Sequence, residues 1–456
     1  MINLFYIIML IVIPNTSYHQ KYIRDYRGIL LLRMKILFLT AHLPYPPLSG
    51  GRKREFELIS HLSKNFEIHL CSVTKSWGTD SMYTNDLLQY CTSVNLFKAE
   101  ALTNKQQYGI YPYQMKRHMS EKASSYISFL LKNQSFDVVH IEGYYLLQHV
   151  PMKSELPILL VEHNIEHLLA LQRFMVAVTQ QEKSYFWSEY IKTLKWERLT
   201  WKRATVCVAL TNEDKIVMER LEPNIDVRMI PNGSDHHKKI DVTTTLLSNS
   251  FEHSFISNNC PSVLFVGNFA YEPNIDAALY FSRQIFPLIL KDVPDAKLFL
   301  VGNAPPPEIC SLTSNKQIEV TGSVTSLIPF YKHADVVVCP LRIGGGVKVK
   351  VLEALGFGKA IVSTSVGAQG LDLSNYRAVA VADDLADFAE NVVRLLVHPE
   401  ERHTQEQEAL AYARTLPSWD QVSGAFARLY EEMADYRLSR GIKKKKKEEE
   451  EEQAGR

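Results

Sequence analysis

Between Cys339 and Gly367 the chain reads CPLRIGGGVKVKVLEALGFGKAIVSTSVG, and this stretch carries the residues best suited to chemistry. Gly344, Gly345 and Gly346 follow an apolar run, Asp335 to Cys339, that is predicted to be a buried parallel strand. A helix is predicted to start near Val347, with Val347, Val351, Leu352 and Leu355 as its apolar stripe. Gly356 and Gly358 end it, and Ala360 to Thr364 reads as the next strand. A strand, a glycine loop and a helix N-terminus together offer unpaired N–H groups and the positive end of a helix dipole, an arrangement that suits a phosphate. Lys350 and Glu353 are three apart and share a helix face, so a cation for phosphate would sit beside a carboxylate for ribose hydroxyls. A solvated Lys–Glu pair on a surface helix is the bland alternative, but it leaves the triple glycine unexplained. The stretch is read as a nucleotide or phosphate site.

A second set of reactive side chains is His163, Glu166 and His167, which spell H-x-x-E-H, the inverted zinc-peptidase motif. That chemistry needs both histidines on one helix with the glutamate base between them. Here His163 directly follows the apolar run ILLVE, which places it at a strand end ahead of the helix, so convergence on one metal is not expected. Asp383-Asp384 reads as a helix cap and His236-His237 as linker, and no metal site is expected. Six scattered cysteines without a C-x-x-C argue against a disulfide framework or a cysteine zinc site and fit a reducing compartment. No G-x-G-x-x-G follows the first strand, which argues against a dehydrogenase. The segment from Lys183 to Arg203 mixes Trp187, Trp196 and Trp201 with lysines and arginines. It reads as a partly buried helix with its aromatics in the core and its charges solvated, the alternative being a membrane-surface contact near a lipid-linked acceptor.

These residues need a scaffold, and the apolar runs supply one. Runs at 35–40, 66–73, 94–97, 136–141, 158–161, 205–210 and 227–230 alternate with helical patterns, and a second alternating set begins at Ser262. Such alternation predicts an α/β protein with two Rossmann-like parallel-sheet domains. Ligands bind at the carboxyl ends of such strands, in the cleft between the domains. The loop AHLPYPPLSGGRKRE after the first strand brings Gly50 and Gly51 to a helix N-terminus. The domain reading is an extension at 1–33, an N-terminal domain at 34–235, a linker at 236–260, a C-terminal domain at 261–416, a helix at 417–440 and a low-complexity charged tail at 441–456. The extension is taken as an upstream start or a weak membrane segment, since its apolar part is short for a span and lacks a basic flank. The tail, five lysines then five glutamates, has no core to bury. A net charge of +1 gives no global reason to expect nucleic acid as a partner.

In their order, several blocks resemble the family 4 nucleotide-sugar glycosyltransferases, which have the GT-B fold of two facing Rossmann-like domains. They are MKILFLTAHLPYPPLSGGRKRE, IPNGSD, LFVGNFAYEPNIDAA and the long block GSVTSLIPFYKHADVVVCPLRIGGGVKVKVLEALGFGKAIVSTSVGAQGL. The chain is most similar to members whose donor loop reads G-G-G-x-[RK]-x-K-x-x-E, often found in bacterial exopolysaccharide assembly. The resemblance implies a retaining transferase of hexosyltransferase type that moves a sugar from a nucleoside-diphosphate sugar to a glycan or lipid-linked acceptor. It implies no cofactor and no metal, a cytoplasmic location, and leaves open peripheral contact with the inner face of the membrane. By resemblance Glu353 would hold the ribose, Lys348 and Lys350 the diphosphate, and Gly344, Gly345 and Gly346 would donate N–H groups. Gly50 and Gly51 match the loop that closes on the donor phosphate, Gly267 the end of the first donor-domain strand, and His163 a histidine near the donor sugar. Val366, Gly367 and Ala368 match the loop after the donor helix. The C-terminal helix is expected to cross back to the N-domain. Two departures stand out. Gly345 takes the place of a common glutamate, and GNFAYEPN lacks the usual Arg and Lys. A sugar-nucleotide epimerase, a non-catalytic nucleotide-sugar binder and, remotely, a zinc peptidase are the alternatives.

Overall fold

Continuous apolar runs are what a strand needs when helices cover both faces of its sheet, and two all-parallel sheets result. The computed structural model describes residues 33–101, 109–234 and 260–454. The expectations for the N-terminal extension, the linker with His236-His237 and the side chains of the charged tail lie outside the described residues. The first sheet contains β1 (Lys35–Thr40), β2 (Glu67–Thr74), β3 (Ser93–Lys98), β4 (Val138–Glu142), β5 (Ile158–Glu162), β6 (Val206–Ala209) and β7 (Val227–Met229), in the order β3-β2-β1-β4-β5-β6-β7. The second contains β8 (Ser262–Val266), β9 (Lys297–Val301), β10 (Ile318–Gly322), β11 (Val336–Cys339), β12 (Ala360–Ser363) and β13 (Ala380–Val381), in the order β10-β9-β8-β11-β12-β13. In both, strand order reverses beside the first strand, between β1 and β4 and between β8 and β11. Such a switch point opens a crevice at the carboxyl edge.

The helices that frame the cleft carry local start signals. Helix α1 (Gly50–Leu62) is capped by Ser49, whose side chain accepts from Arg52 N. Helices α2 (Glu121–Asn133) and α3 (Glu166–Val176) cover the first sheet, and α4 (Gln180–Arg203) opens with a Thr179–Glu182 capping box. Thr211 caps α5 (Asn212–Leu221) as expected. Residues 272–292 form not one regular helix but α6 (Glu272–Tyr280), a π-helical turn at Phe281–Ile285, and α7 (Phe286–Asp292). Pro287 at the start of α7 has no N–H to donate, which fits a break in the regular hydrogen-bond ladder there. Further on are α8 (Ile328–His333), α9 (Val349–Gly356), α10 (Leu385–Val397, capped by Asp384), α11 (Pro399–Ala413) and α12 (Trp419–Ala454). Helix α9 begins two residues later than the apolar stripe suggested, because Lys348 takes the extended N-cap position.

Helix α12 does cross back. Tyr430 is buried against Phe66 and shares a 2.6 Å hydrogen bond with His140 Nδ1, and Arg437 donates to the Phe136 carbonyl at 2.9 Å. Lys35–Arg456 accordingly forms one compact unit. Helix α4 corrects the sequence reading in part. Trp201 is in the core, but Trp187 is 48% exposed, and Glu189 and Glu197 are buried rather than solvated. Both acids have found partners: Glu189 accepts from Tyr113 N, and Glu197 receives the first N–H groups of α3.

Candidate functional site

The carboxyl end of β11 delivers Gly344, Gly345 and Gly346 to the cleft, and each meets the N-terminal half. Gly344 N donates to Gln172 Oε1 of α3 at 2.9 Å. A Cβ on Gly345 would lie 2.8 Å from the Cβ of Asn164, so the glutamate common at this position in the resembling family has no room. Gly346 has φ +59° and lies against the His163 carbonyl, where any side chain would overlap that oxygen. Lys348, buried at the N-cap of α9, donates to the Gly345 and Gly346 carbonyls at 3.0 and 2.7 Å and so ties the loop to the helix. Lys350 donates to Asn274 Oδ1 at 2.7 Å, with its ammonium 4.4 Å from the Phe265 ring centre. Burial pulls both ammonium groups down to about 8. Glu353 accepts from Lys53 Nζ of α1 at 2.7 Å and from the Tyr331 hydroxyl at 3.3 Å.

The loop residues behind divide into contact and support. Gly50 packs α1 directly onto α9, since its Cβ would stand 3.0 Å from Val349 Cγ2. Gly51 lies beside His42. Gly267, at the end of β8, leaves room for Asn274, the partner of Lys350. Val366 reaches Gly344. Gly367 lets β12 leave close against the Cys339 carbonyl, and Ala368 is buried beside it, so these two support the fold from behind the loop. Between α1 and α9, Gly50, Lys53, Arg54, Val349, Leu352 and Trp419 enclose a void of only about 10 Å³, one water at most.

The facing wall is built from the ends of β1, β4 and β5. His140 and Glu142 are two apart on β4, so they share a face. His140 Nε2 meets Glu142 Oε1 at 2.8 Å, and His163 Nε2 meets Glu142 Oε2. Burial alone would raise the Glu142 carboxyl, but His163 and His140 overturn this and hold it well below the carboxylate range. Burial likewise lowers His140, against the opposing pull of Glu142. Arg54, also buried, donates to Asn232 Oδ1 at 2.8 Å and has Nε 4.0 Å from Glu142 Oε2. Glu55 faces His42 at 2.9 Å. Glu55, Glu142 and His163 each bring one ligand atom within 4.8 Å of the others. A guanidinium and three imidazoles stand among these two carboxylates.

The H-x-x-E-H residues separate as their strand-end placement implied. His163 follows β5 and pairs with Glu142, while His167 in α3 pairs through Nδ1 with Glu197. The Glu197 carboxylate also accepts from the backbone N–H groups of Glu166 and His167, which caps α3 and fixes the loop that carries His163 and Asn164. Asp384 caps α10 and Asp383 accepts from Ser365. Lys53, Arg54, Asn274, Tyr331 and Glu142 were not foreseen as cleft residues. The H-I-E alternation at 140–142 was a legible signal for one face of a strand, whereas Lys53 and Arg54 looked like ordinary helix charges. Among the described residues no helix is long and apolar enough to cross a membrane.

Two parallel sheets facing across a cleft, with a glycine loop and helix N-terminus at the switch point of the second, make the GT-B fold. Solved structures share this fold over most of the chain. Sucrose-phosphate synthase from Thermosynechococcus elongatus matches with TM-score 0.68 at 14% identity, covering 88% of this chain and 99% of that one. Anabaena HepE, solved in complex with UDP and glucose, matches with TM-score 0.61 at 13% identity over 88% and 100%. WaaG, a glycosyltransferase involved in lipopolysaccharide biosynthesis, gives 0.55 at 13% over 86% and 98%. At these identities the likeness is one of fold. Residues 260–398 match the family described as Glycosyl transferases group 1. An uncharacterized 44.6 kDa protein in the cps region of Klebsiella pneumoniae is 30% identical over 149 residues, 30% of this chain and 38% of that protein's length.

Proposed function

We propose that the protein transfers a sugar from a nucleoside-diphosphate sugar to a glycan or lipid-linked acceptor, with retention of anomeric configuration, in polysaccharide or glycolipid assembly. The observation that carries this is the gathering of Lys348, Lys350 and Glu353 around a glycine loop in a group 1 domain, facing His163 across the cleft. The reading gives residues 261–416 the donor and residues 34–235 the acceptor. Glu353 would take the ribose hydroxyls, giving up its bridge to Lys53. Lys348, Lys350 and the N–H groups at the start of α9 would hold the diphosphate. As the bond from the anomeric carbon to the diphosphate oxygen breaks, negative charge grows on the leaving group, and these cations stabilise it. The acceptor oxygen bonds to the anomeric carbon, and its proton passes to the leaving phosphate. The protein's own cations serve the leaving group, so the reading needs no metal. The solved UDP and UDP-glucose complexes of HepE support a nucleotide-sugar ligand for this fold. The cps-region relative supports a capsule-like context. A cytoplasmic place of work, with contact at the inner membrane face, follows from that reading.

The test is a donor screen on protein starting at Met34, with UDP-, GDP-, ADP- and TDP-sugars and EDTA present. Stabilisation or released diphosphate with one donor despite EDTA is the expected result. Stabilisation without release, even with acceptors, would leave a nucleotide-sugar binder. Conversion of the sugar without free diphosphate would make the protein an epimerase.

A further inference from the structure

The transfer chemistry uses the cleft side of His163 and gives no role to the ionisable groups buried behind it. Those groups form a line. Tyr430 on α12 meets His140 Nδ1 at 2.6 Å, His140 Nε2 meets one oxygen of Glu142 at 2.8 Å, and His163 Nε2 meets the other. Tyr430, His140 and Glu142 are at most 1% exposed, and His163 alone reaches solvent, its side chain 23% exposed.

The hydrogen positions along this line follow from donor and acceptor counting. An ionised carboxylate only accepts. Both imidazoles bonded to Glu142 must therefore carry their proton on Nε2. Glu142 is held ionised by these partners, with Arg54 Nε 4.0 Å away, and the buried His140 is held neutral. His140 Nδ1 is then a lone pair, which the Tyr430 hydroxyl fills as donor. His163 keeps one ring nitrogen, Nδ1, outside the line. Around the line stand Arg54 and Glu55 from α1 and His42 after β1, the last paired with Glu55. Phe38 stacks on the His140 ring at 4.0 Å and holds its plane.

We propose that Glu142, His140 and Tyr430 are positioning residues that lock His163 as the Nε2–H tautomer, so that it offers Nδ1 to a hydroxyl of the donor sugar as a hydrogen-bond acceptor. This rests on reading the cleft as a nucleotide-sugar site. It makes the returning helix α12 part of that site, though α12 touches no substrate. It also states a selectivity: the sugar must donate a hydroxyl hydrogen at that position, and a deoxy sugar loses the contact.

Two measurements test it, and the first needs no ligand. In full-length protein with ¹⁵N-labelled histidine, the His163 ring, assigned by its loss in His163→Gln, is expected as a single Nε2–H tautomer. Glu142→Gln is expected to release that preference, and Tyr430→Phe to shift the His140 signal with the fold intact. An Nδ1–H or mixed tautomer at His163 in the wild type would overturn the proposal. The second measurement compares UDP-glucose with UDP. Glu142→Gln is expected to weaken UDP-glucose about tenfold, one neutral hydrogen bond's worth, and to leave UDP unchanged. Tyr430→Phe is expected to have a smaller effect of the same kind that disappears in a His163→Ala background. Equal losses for both ligands would overturn the positioning role. Failure of the wild type to bind either ligand would count against the functional reading, and the tautomer result would stand by itself.

Discussion

Replacing Lys350 with methionine separates a residue kept for a ligand from one kept for the fold. Methionine preserves the stem and removes the ammonium, which donates to Asn274 and lies over Phe265. Burial lowers that ammonium from 10.5 to about 8. Such a displacement corresponds to a penalty on the charged form of about 3 kcal/mol at neutral pH, an upper figure because the side chain is partly exposed. Losing the bond to Asn274 returns about 1 kcal/mol, and losing the ring contact about as much again. The ligand-free variant is therefore expected to be as stable as the wild type or up to about 1 kcal/mol more so. A residue that serves only packing would lose stability instead. Nucleotide binding should move the other way, since a diphosphate deprived of a partly buried cation loses about 2–5 kcal/mol of contact. Urea unfolding of the free protein and the thermal shift with saturating UDP read the two sides. A destabilised free protein with an undiminished UDP shift would refute the reasoning.

Four further outcomes are expected. The affinity for UDP should fall above about pH 8: the anion favours protonated Lys348 and Lys350, and above that pH the free protein must recover protons to bind, at up to tenfold per pH unit for each lysine. Titration calorimetry from pH 6.5 to 9 reads it, and a flat profile contradicts it. The same depressed ammonium groups make the fold gain stability as pH rises from about 8 towards 10.5, where the unfolded chain holds more protons than the folded one. Gly346→Ala should cost about 1–2 kcal/mol for its positive φ and force the loop off His163, with urea unfolding showing the first effect and a smaller UDP shift the second. His167→Ala should cost about 1–3 kcal/mol by removing a buried partner of Glu197 while turnover per folded molecule changes little, a result that turnover normalised to folded protein would check.

How much of this was legible depends on how local each cause is. The sheets were readable because a strand buried on both faces is apolar along its whole length, as β6 and β11 are. The glycine loop was readable because Gly344 to Glu353 carries its glycines, cations and carboxylate within ten residues. The start of α9 was missed because Val347 continues the apolar stripe although Lys348 is extended. The buried acids of α4 were missed for a different reason. Glu197 looks like any helix-surface charge until β5 and α3 bring two backbone N–H groups to it from thirty residues away. The network behind His163 draws on α1, β4, the β5 end and α12, and only the His140–Glu142 spacing within it is written locally. Gly345 was visible as a departure, but its cause, the side chain of Asn164, belongs to the other half of the chain.

The return of α12 has a consequence for how the molecule is made. The N-terminal sheet is synthesised first, yet the slot between Phe66 and His140 is filled by Tyr430, which emerges 290 residues after His140. Until then His140 lacks its hydroxyl and Arg54 lacks the Phe426 ring that lies 5.7 Å from it. The nascent first half is thus a domain with an open seam until α12 arrives to close it. A ribosome-bound or truncated product lacking the last helix carries the glycine loop with Lys348, Lys350 and Glu353, but not Trp419 and Tyr430, which close this seam.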